Sequence, residues 1–182
     1  MFCSMWYENV SQHHCLRASI ANYFLEIGDN TLAEKTHREY DQHRMVQDNG
    51  YSIPLFIPKI ISELTNGEYS ATIYYSDNSK PLGHSYFEEL LKIKSQQLAL
   101  FYKKMDIKSM HQELVEGLKS NSYQPVDFDK FNPKPPYIAD IENSGPINHY
   151  VLVRENDIIN DGVVSKLEKE DHISLYIVIR KN

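Results

Sequence analysis

Cysteine is scarce in this chain: there are two in 182 residues, Cys3 and Cys15. Two are too few for a disulfide framework or a cysteine-rich metal cluster. Basic charge is also in deficit, with 19 Lys and Arg against 25 Asp and Glu and a net charge of -6. A protein that holds a nucleic-acid backbone calls for a basic face, so no nucleic-acid partner is expected. Glycine, at 7 residues, is far below what a collagen-like repeat requires. Apolar runs long enough to span a bilayer, about 18 residues, are missing, which argues against a membrane helix or membrane partner. Near the start of the chain, Glu8, Gln12, His13, His14 and Arg17 interrupt every candidate apolar segment of a secretory signal. The expectation is a cytoplasmic protein, with a non-classically secreted effector as the alternative.

What is present fits a folded domain. Hydrophobic residues make up 41% of the chain, aromatic 12% and charged 24%, enough apolar surface to bury a core and too much for disorder. The length suits a single domain over residues 1–182. Tyrosine, at 13 residues, and histidine, at 8, are the abundant functional types.

From Cys15 to Ile27 the apolar residues Leu16, Ile20, Phe24 and Ile27 recur at helical spacing, which predicts an amphipathic helix ended by Gly28. Thr31 and Glu34 have the spacing of a capping box for a polar helix running to about Val46. Ile53, Ile57, Ile60, Ile61 and Leu64 predict a helix from near Ser52 to Asn66 and Gly67, which Pro58 would kink or delay. Tyr69 to Tyr75 reads as a strand. Two further helices are expected, from Ser85 to about Lys104 and from Ser109 to near Leu118, before a proline-rich loop at residues 132–136. Tyr137 to Ile141, His149 to Val153, Ile158 to Asp161 and Ile173 to Ile179 then read as an antiparallel sheet. Helices early and strands late predict an α+β domain.

The chemistry centres on Cys15, placed where the first helix starts. A thiol is nucleophilic as thiolate, and a helix N-terminus or an adjacent imidazole lowers its pKa. A cysteine hydrolase needs, besides the thiol, a base and a group that orients the base. His149 opens an apolar strand and is the candidate base. Across a hairpin, an odd-numbered turn puts Asp161 on the face of His149, and an even one puts Asn160 there. Glu155, Asn156 and Asp157 suggest a three-residue turn, which favours Asp161. Cys15 in this arrangement would be an exposed, reactive thiol, whereas Cys3 has no such context. Against these stand plainer readings: a buried small residue for Cys15, a hydrogen-bonded strand-end histidine for His149 and a turn residue for Asp161. Zinc at His13, His14 and Cys15 is disfavoured, because adjacent residues rarely converge on one ion and no CxxC or HExxH pattern occurs. No metal and no cofactor are called for. His37, His43, His84, His111 and His172 lie in polar stretches and are read as solvated.

The run Cys15-Leu16-Arg17-Ala18-Ser19-Ile20-Ala21, closing at Gly28, resembles the nucleophile helix of papain-fold cysteine peptidases of the C39-like (bacteriocin-processing peptidase-like) branch. Small residues stand three, four and six positions after the Cys and Gly at thirteen, as in that family. His149-Tyr150-Val151-Leu152-Val153 and Ile159-Asn160-Asp161 are similar to its His-aromatic-aliphatic strand and the strand ending in Asp. The resemblance covers roughly 30 residues. It departs at Leu16, where the family has Gly, and at Gly162, where it has Pro. It implies a papain-like fold, with the nucleophile helix packed on a C-terminal antiparallel sheet. It also implies a peptidase with a Cys15, His149, Asp161 triad acting on a peptide or protein substrate. A Gln a few residues before the Cys helps hold the oxyanion in such enzymes, and Gln12 is the matching type. Cys15-Leu16-Arg17-Ala18 and His149-Tyr150 are also similar to ovarian-tumour-type deubiquitinases, although their Asp-Gly before the Cys is missing. His14-Cys15 matches the nucleophile motif of papain-fold acyltransferases, transglutaminase-like enzymes that pass an acyl group to an amine. A catalytically inactive, peptide-binding papain-fold domain is the non-enzymatic alternative.

Overall fold

The computed structural model describes residues 6–8, 14–47, 50, 52–76, 105–142, 149–166 and 172–182. Among these it is an α+β structure of four α-helices and a seven-stranded sheet. The helices are α1 (Cys15–Glu26), α2 (Asn30–Glu39), α3 (Ile57–Leu64) and α4 (Ile107–Lys119). The strands are β1 (Tyr69–Ser76), β2 (Tyr123–Val126), β3 (Tyr137–Glu142), β4 (His149–Val153), β5 (Ile158–Asn160), β6 (Val163–Ser165) and β7 (His172–Lys181). Their order is β2-β1-β7-β3-β4-β5-β6. All pairs are antiparallel except β1 with β2. The sheet therefore differs from the expected C-terminal one. β1, from the first half of the chain, pairs with β7 over seven residues and brings β2 in at the edge.

Side-chain alternation divides the buried residues between two faces of the sheet. One face, with Ile73, Ile138, Tyr150, Leu152, Leu175 and Ile177, packs against the helices in the main core. The other, with Val151, Val153, Tyr176 and Val178, is covered by Phe128 and Phe131 from the segment before β3. Tyr74, Tyr137 and Tyr176 meet those phenylalanines or one another in tilted or edge-to-face contacts.

The helix boundaries follow local chemistry, with corrections. α1 ends where Gly28 takes a φ of +83° and closes the last turn by Asp29 N donating to Phe24 O at 2.8 Å. For α2 the cap is Asp29, whose carboxylate accepts from Leu32 N at 3.0 Å, and the Thr31 box is not the one used. This helix stops at Glu39, where a 3-10 turn, Tyr40–Gln42, replaces the expected run to Val46. Pro58 sits in the first turn of α3, where its missing N–H is harmless, after a 3-10 turn at Pro54–Phe56. Asp106, one turn ahead of the expected start, caps α4 by accepting from Lys108 N and Ser109 N. The predicted helix from Ser85 to Lys104 lies outside the described residues.

The largest departure is α1, which has no solvent face. Every residue from Cys15 to Phe24 is buried, the polar Arg17, Ser19 and Asn22 included. Each of these three finds a partner on a different neighbour. Ser19 Oγ donates to Tyr150 O on β4 at 2.9 Å. Asn22 holds the backbone of Tyr7 at both N and O, at 2.8 and 3.0 Å. Arg17 pairs with Asp41 of the 3-10 turn. Tyr23 adds a fourth tie, its hydroxyl donating to Ile179 O on β7 at 2.8 Å.

Burial has a measurable electrostatic consequence. It pushes the Tyr23 phenol up to about 12 and raises Tyr123, Tyr137 and Tyr176 in the same direction. In the unfolded chain these phenols ionise near pH 10. Below that pH both states are protonated and the fold keeps its full stability. Above it the unfolded chain ionises first, so stability falls as pH climbs toward the folded-state values. The urea midpoint is thus expected to hold up to about pH 10 and fall steadily beyond it. Tyrosinate absorbance should appear together with the loss of far-UV circular dichroism, and ionisation of the buried phenols in a fully folded protein would contradict this.

Candidate functional site

Cys15 is the first residue of α1, and His14, its N-cap, gives the first-turn amides no side-chain acceptor. The thiol lies under β4, where the backbone N–H of Tyr150 donates to it. Tyr150 directly follows His149, so α1 docks the sulfur one residue from the candidate base. The thiol is neither exposed nor activated, contrary to expectation. Cys15 is 4% exposed, and burial pushes its pKa up, more than the amides of Tyr150, Leu16 and Cys15 itself draw it down; the Asp140 carboxylate adds to the rise. The helix N-terminus favours thiolate, and desolvation outweighs it here.

His149 is partly buried at the start of β4, and its Nε2 lies 2.5 Å from Asn160 Oδ1. An amide oxygen only accepts, so Nε2 carries the proton and Nδ1 is the basic nitrogen of the neutral ring. Asp161 is not the partner, and the register supplies the reason. Val153 pairs with Ile158 and Leu152 with Ile159, leaving the four residues Arg154 to Asp157 as the connection. Within it Arg154 N donates to Asp157 O at 2.8 Å. An even count carries the parity to Asn160.

Asp161 instead begins a two-residue hairpin. Asn160 pairs with Val163, and Asp161 and Gly162 have φ values of +52° and +73°. This is the left-handed pair that a tight turn between twisted strands requires. An Asp-Gly step between two β-branched runs was the sequence signal for it, and it makes Asn160 the last residue of β5. Gly162 also departs from the family pattern for a physical reason: proline has a fixed negative φ and cannot adopt +73°. Leu16, where the family has Gly, is buried in the main core.

The segment before the helix crosses this end of the sheet. Trp6 lies under the Arg154 guanidinium, 5.2 Å from ring centroid to Cζ. Tyr7 stacks on His37 at 4.4 Å. Glu8 packs on the Asp161-Gly162 turn, so closely that a Cβ on Gly162 would stand 2.6 Å from Glu8 Cγ. Gln12 and Cys3 lie outside the described residues.

Two of the histidines read as solvated are not. His37 is held below its ordinary value by burial and by the Arg17 charge. His43 accepts from Met45 N at Nδ1 and faces Glu63 through Nε2 at 2.9 Å, in a side chain only 9% exposed. His14 turns to Asp41 at 3.3 Å. Among the described residues no three His, Cys, Asp or Glu side chains converge as a metal site would require, and no helix is long and apolar enough to cross a membrane. No family model, curated protein or solved structure matches this chain.

Gly162→Ala is expected to destabilise the fold by about 1 to 3 kcal/mol, from the left-handed φ and the clash with Glu8. Urea denaturation measures it, and a variant as stable as the parent would contradict the turn geometry.

Proposed function

We propose that the chain is a papain-like cysteine hydrolase, a peptidase cleaving an amide bond, with Cys15 as nucleophile, His149 as base and Asn160 as the residue that orients His149. The reading rests above all on the pairing of His149 Nε2 with Asn160 Oδ1 at 2.5 Å. It leaves Nδ1 as the acceptor on the ring, in the residue before Tyr150, and Cys15 stands at the head of a twelve-residue helix. The Cys15 sulfur attacks the substrate carbonyl while its proton passes to His149 Nδ1. The oxyanion of the tetrahedral intermediate is met by the first-turn amides of α1, and Gln12 is the proposed side-chain donor. Collapse expels the amine, which takes the proton from His149. Water then attacks the thioester, and His149, again as base, returns the proton to sulfur as the acid departs.

Because the thiol is held protonated at rest, deprotonation and attack belong to one step rather than to a standing thiolate–imidazolium pair. Pleat alternation gives His149 the side of Val151 and Val153, opposite Tyr150, so the proposed attack requires the imidazole to reach the sulfur around the end of β4. The substrate is a peptide or protein in the cytoplasm, with non-classical export the alternative setting. Burial of Cys15 to 4% exposure favours a second reading, a catalytically inactive peptide-binding domain. An acyltransferase would use the same Cys15 and His149 with an amine in place of water, and product analysis with added amine separates it from the hydrolase.

Iodoacetamide labelling mapped by mass spectrometry tests the nucleophile. Faster labelling of Cys15 than of Cys3, lost in His149→Ala, supports the enzyme, whereas equal slow labelling of both supports the binding domain. The orienting residue is tested by substitution. Asn160→Ala is expected to lower kcat/KM on a cleaved peptide, and His149→Ala to lower it by at least about a hundredfold. Asp161→Asn, which keeps the left-handed turn, should leave it unchanged. The opposite ranking of Asn160 and Asp161 would return the triad to Asp161.

A further inference from the structure

One row of apolar side chains crosses the sheet and stops at its edge. Ile73, Ile177, Ile138, Leu152 and Ile159 stand directly opposite one another from β1 to β5, all of them buried. The next in line is Val164 of β6, opposite Ile159 and 50% exposed. Its neighbour Val163 is 64% exposed, and no described strand lies beyond β6. The backbone is open there as well. Asn160 and Val163 flank the two-residue Asp161-Gly162 turn, and residues flanking such a turn exchange both backbone hydrogen bonds with each other. Bonding alternates along a strand, so Val164 turns its N–H and C=O outward. At the opposite edge β2 contains Pro125, which guards against further pairing, whereas Val163-Val164-Ser165 has neither proline nor charge.

We infer that the β6 edge binds a second copy of this chain, in an antiparallel pair centred on Val164 and related by a twofold axis. Val164 then exchanges both backbone hydrogen bonds with Val164 of the second copy, and the apolar row continues through both molecules. One residue further along, Lys166 comes opposite Gly162 of the second copy. Glu8 packs against that glycine, on the side where a Cβ would stand, and residues directly opposite in an antiparallel pair share a face. The twofold therefore sets Lys166 of each copy beside Glu8 of the other. Within one copy Lys166 Nζ donates to the Asn156 carbonyl, a neutral acceptor. The edge thus ends in a carboxylate on one side and an ammonium on the other, a pattern that its own reverse complements and that a strand of uniform charge does not. Two three-residue strands bury less than the roughly 1,200 Å² of a stable complex, so the dimer is weak and reversible. An isologous contact closes on itself, and with β2 guarded the assembly stops at two. The inference does not depend on Cys15 being a nucleophile.

Sedimentation equilibrium of the full chain, with a reducing agent present to prevent disulfides, reads the assembly directly. The weight-average mass is expected to rise from 21.3 kDa toward twice that value between about 1 μM and 1 mM. Val164→Pro removes the outward N–H and leaves the β5–β6 bonds in place, so it should hold the mass at one chain with an unchanged circular dichroism spectrum. Lys166→Glu sets like charges together across the twofold and should raise the dissociation constant about tenfold. Adding Glu8→Lys to that variant reverses both partners and should restore the parent value. A parent mass fixed at one chain overturns the inference and leaves the edge to an extended peptide, and a mass that climbs past two chains overturns the twofold. A folded Val164→Pro variant that still dimerises also overturns it. If Val164→Pro does not fold, the charge exchange decides: dimerisation indifferent to Lys166→Glu, or not restored by Glu8→Lys, counts against the pairing.

Discussion

A helix without a solvent face must find partners for the polar groups it carries, and α1 does so at Ser19 and Asn22 and, through one nitrogen, at Arg17, whose Nε and Nη2 stay buried without a hydrogen bond. A buried hydrogen bond contributes about 1 kcal/mol net, but an orphaned buried group costs about 1 to 3 kcal/mol, so the requirement acts mostly by excluding alternatives. Ser19 is satisfied only if β4 lies alongside with the Tyr150 carbonyl turned inward. Asn22 is satisfied only if the segment at Tyr7 runs across the helix as an extra strand-like strap. Arg17 draws in Asp41 and thereby the 3-10 turn after α2. With these contacts set, the depth of Cys15 beneath β4 follows.

That depth decides the state of the thiol. Two effects oppose each other at the head of α1: unsatisfied amides favour a negative sulfur, and removal from water disfavours it. Burial prevails, with Asp140 on its side. A thiol kept neutral in this way is protected from adventitious oxidation, since oxidants attack the thiolate. In the proposed hydrolase it would depend on the imidazole at the moment of attack, which would give the orientation of that ring more weight than in a site with a preformed ion pair.

Much of this was legible in the residues themselves. The first helix, its glycine stop, β4 and the α+β class all follow from spacing and turn residues, because each rests on local chemistry. The failures share a different origin. Leu16, Ile20, Phe24 and Ile27 look like one stripe of an amphipathic helix, and nothing local shows that the polar positions between them are also covered. β2 is a short edge strand whose pairing depends on a partner far away in the chain, and β6, only a two-residue turn from its partner β5, is three residues long. The choice between Asn160 and Asp161 turned on whether the loop before β5 has three residues or four. An Asp-Gly step carried that information two residues further on. The burial of Asp140 gave no signal at all, since it comes from a register shift between strands more than thirty residues apart.

The position of β7 carries one more consequence, for the order in which the molecule assembles. The last strand of the described chain lies near the centre of the sheet, with β1 on one side and β3 on the other. As the chain leaves the ribosome, β1, β3 and β4 are all complete before β7 exists, and no described strand joins β1 to β3 without it. The hairpin carrying His149 can form early, but the main core closes only when residues 172–181 arrive. Contacts of such long sequence separation fold slowly, because the loop entropy is lost before the contacts are gained. Nascent chains of this protein therefore hold two exposed half-sheets until residues 172–181 have emerged, and they are the species most in need of a chaperone.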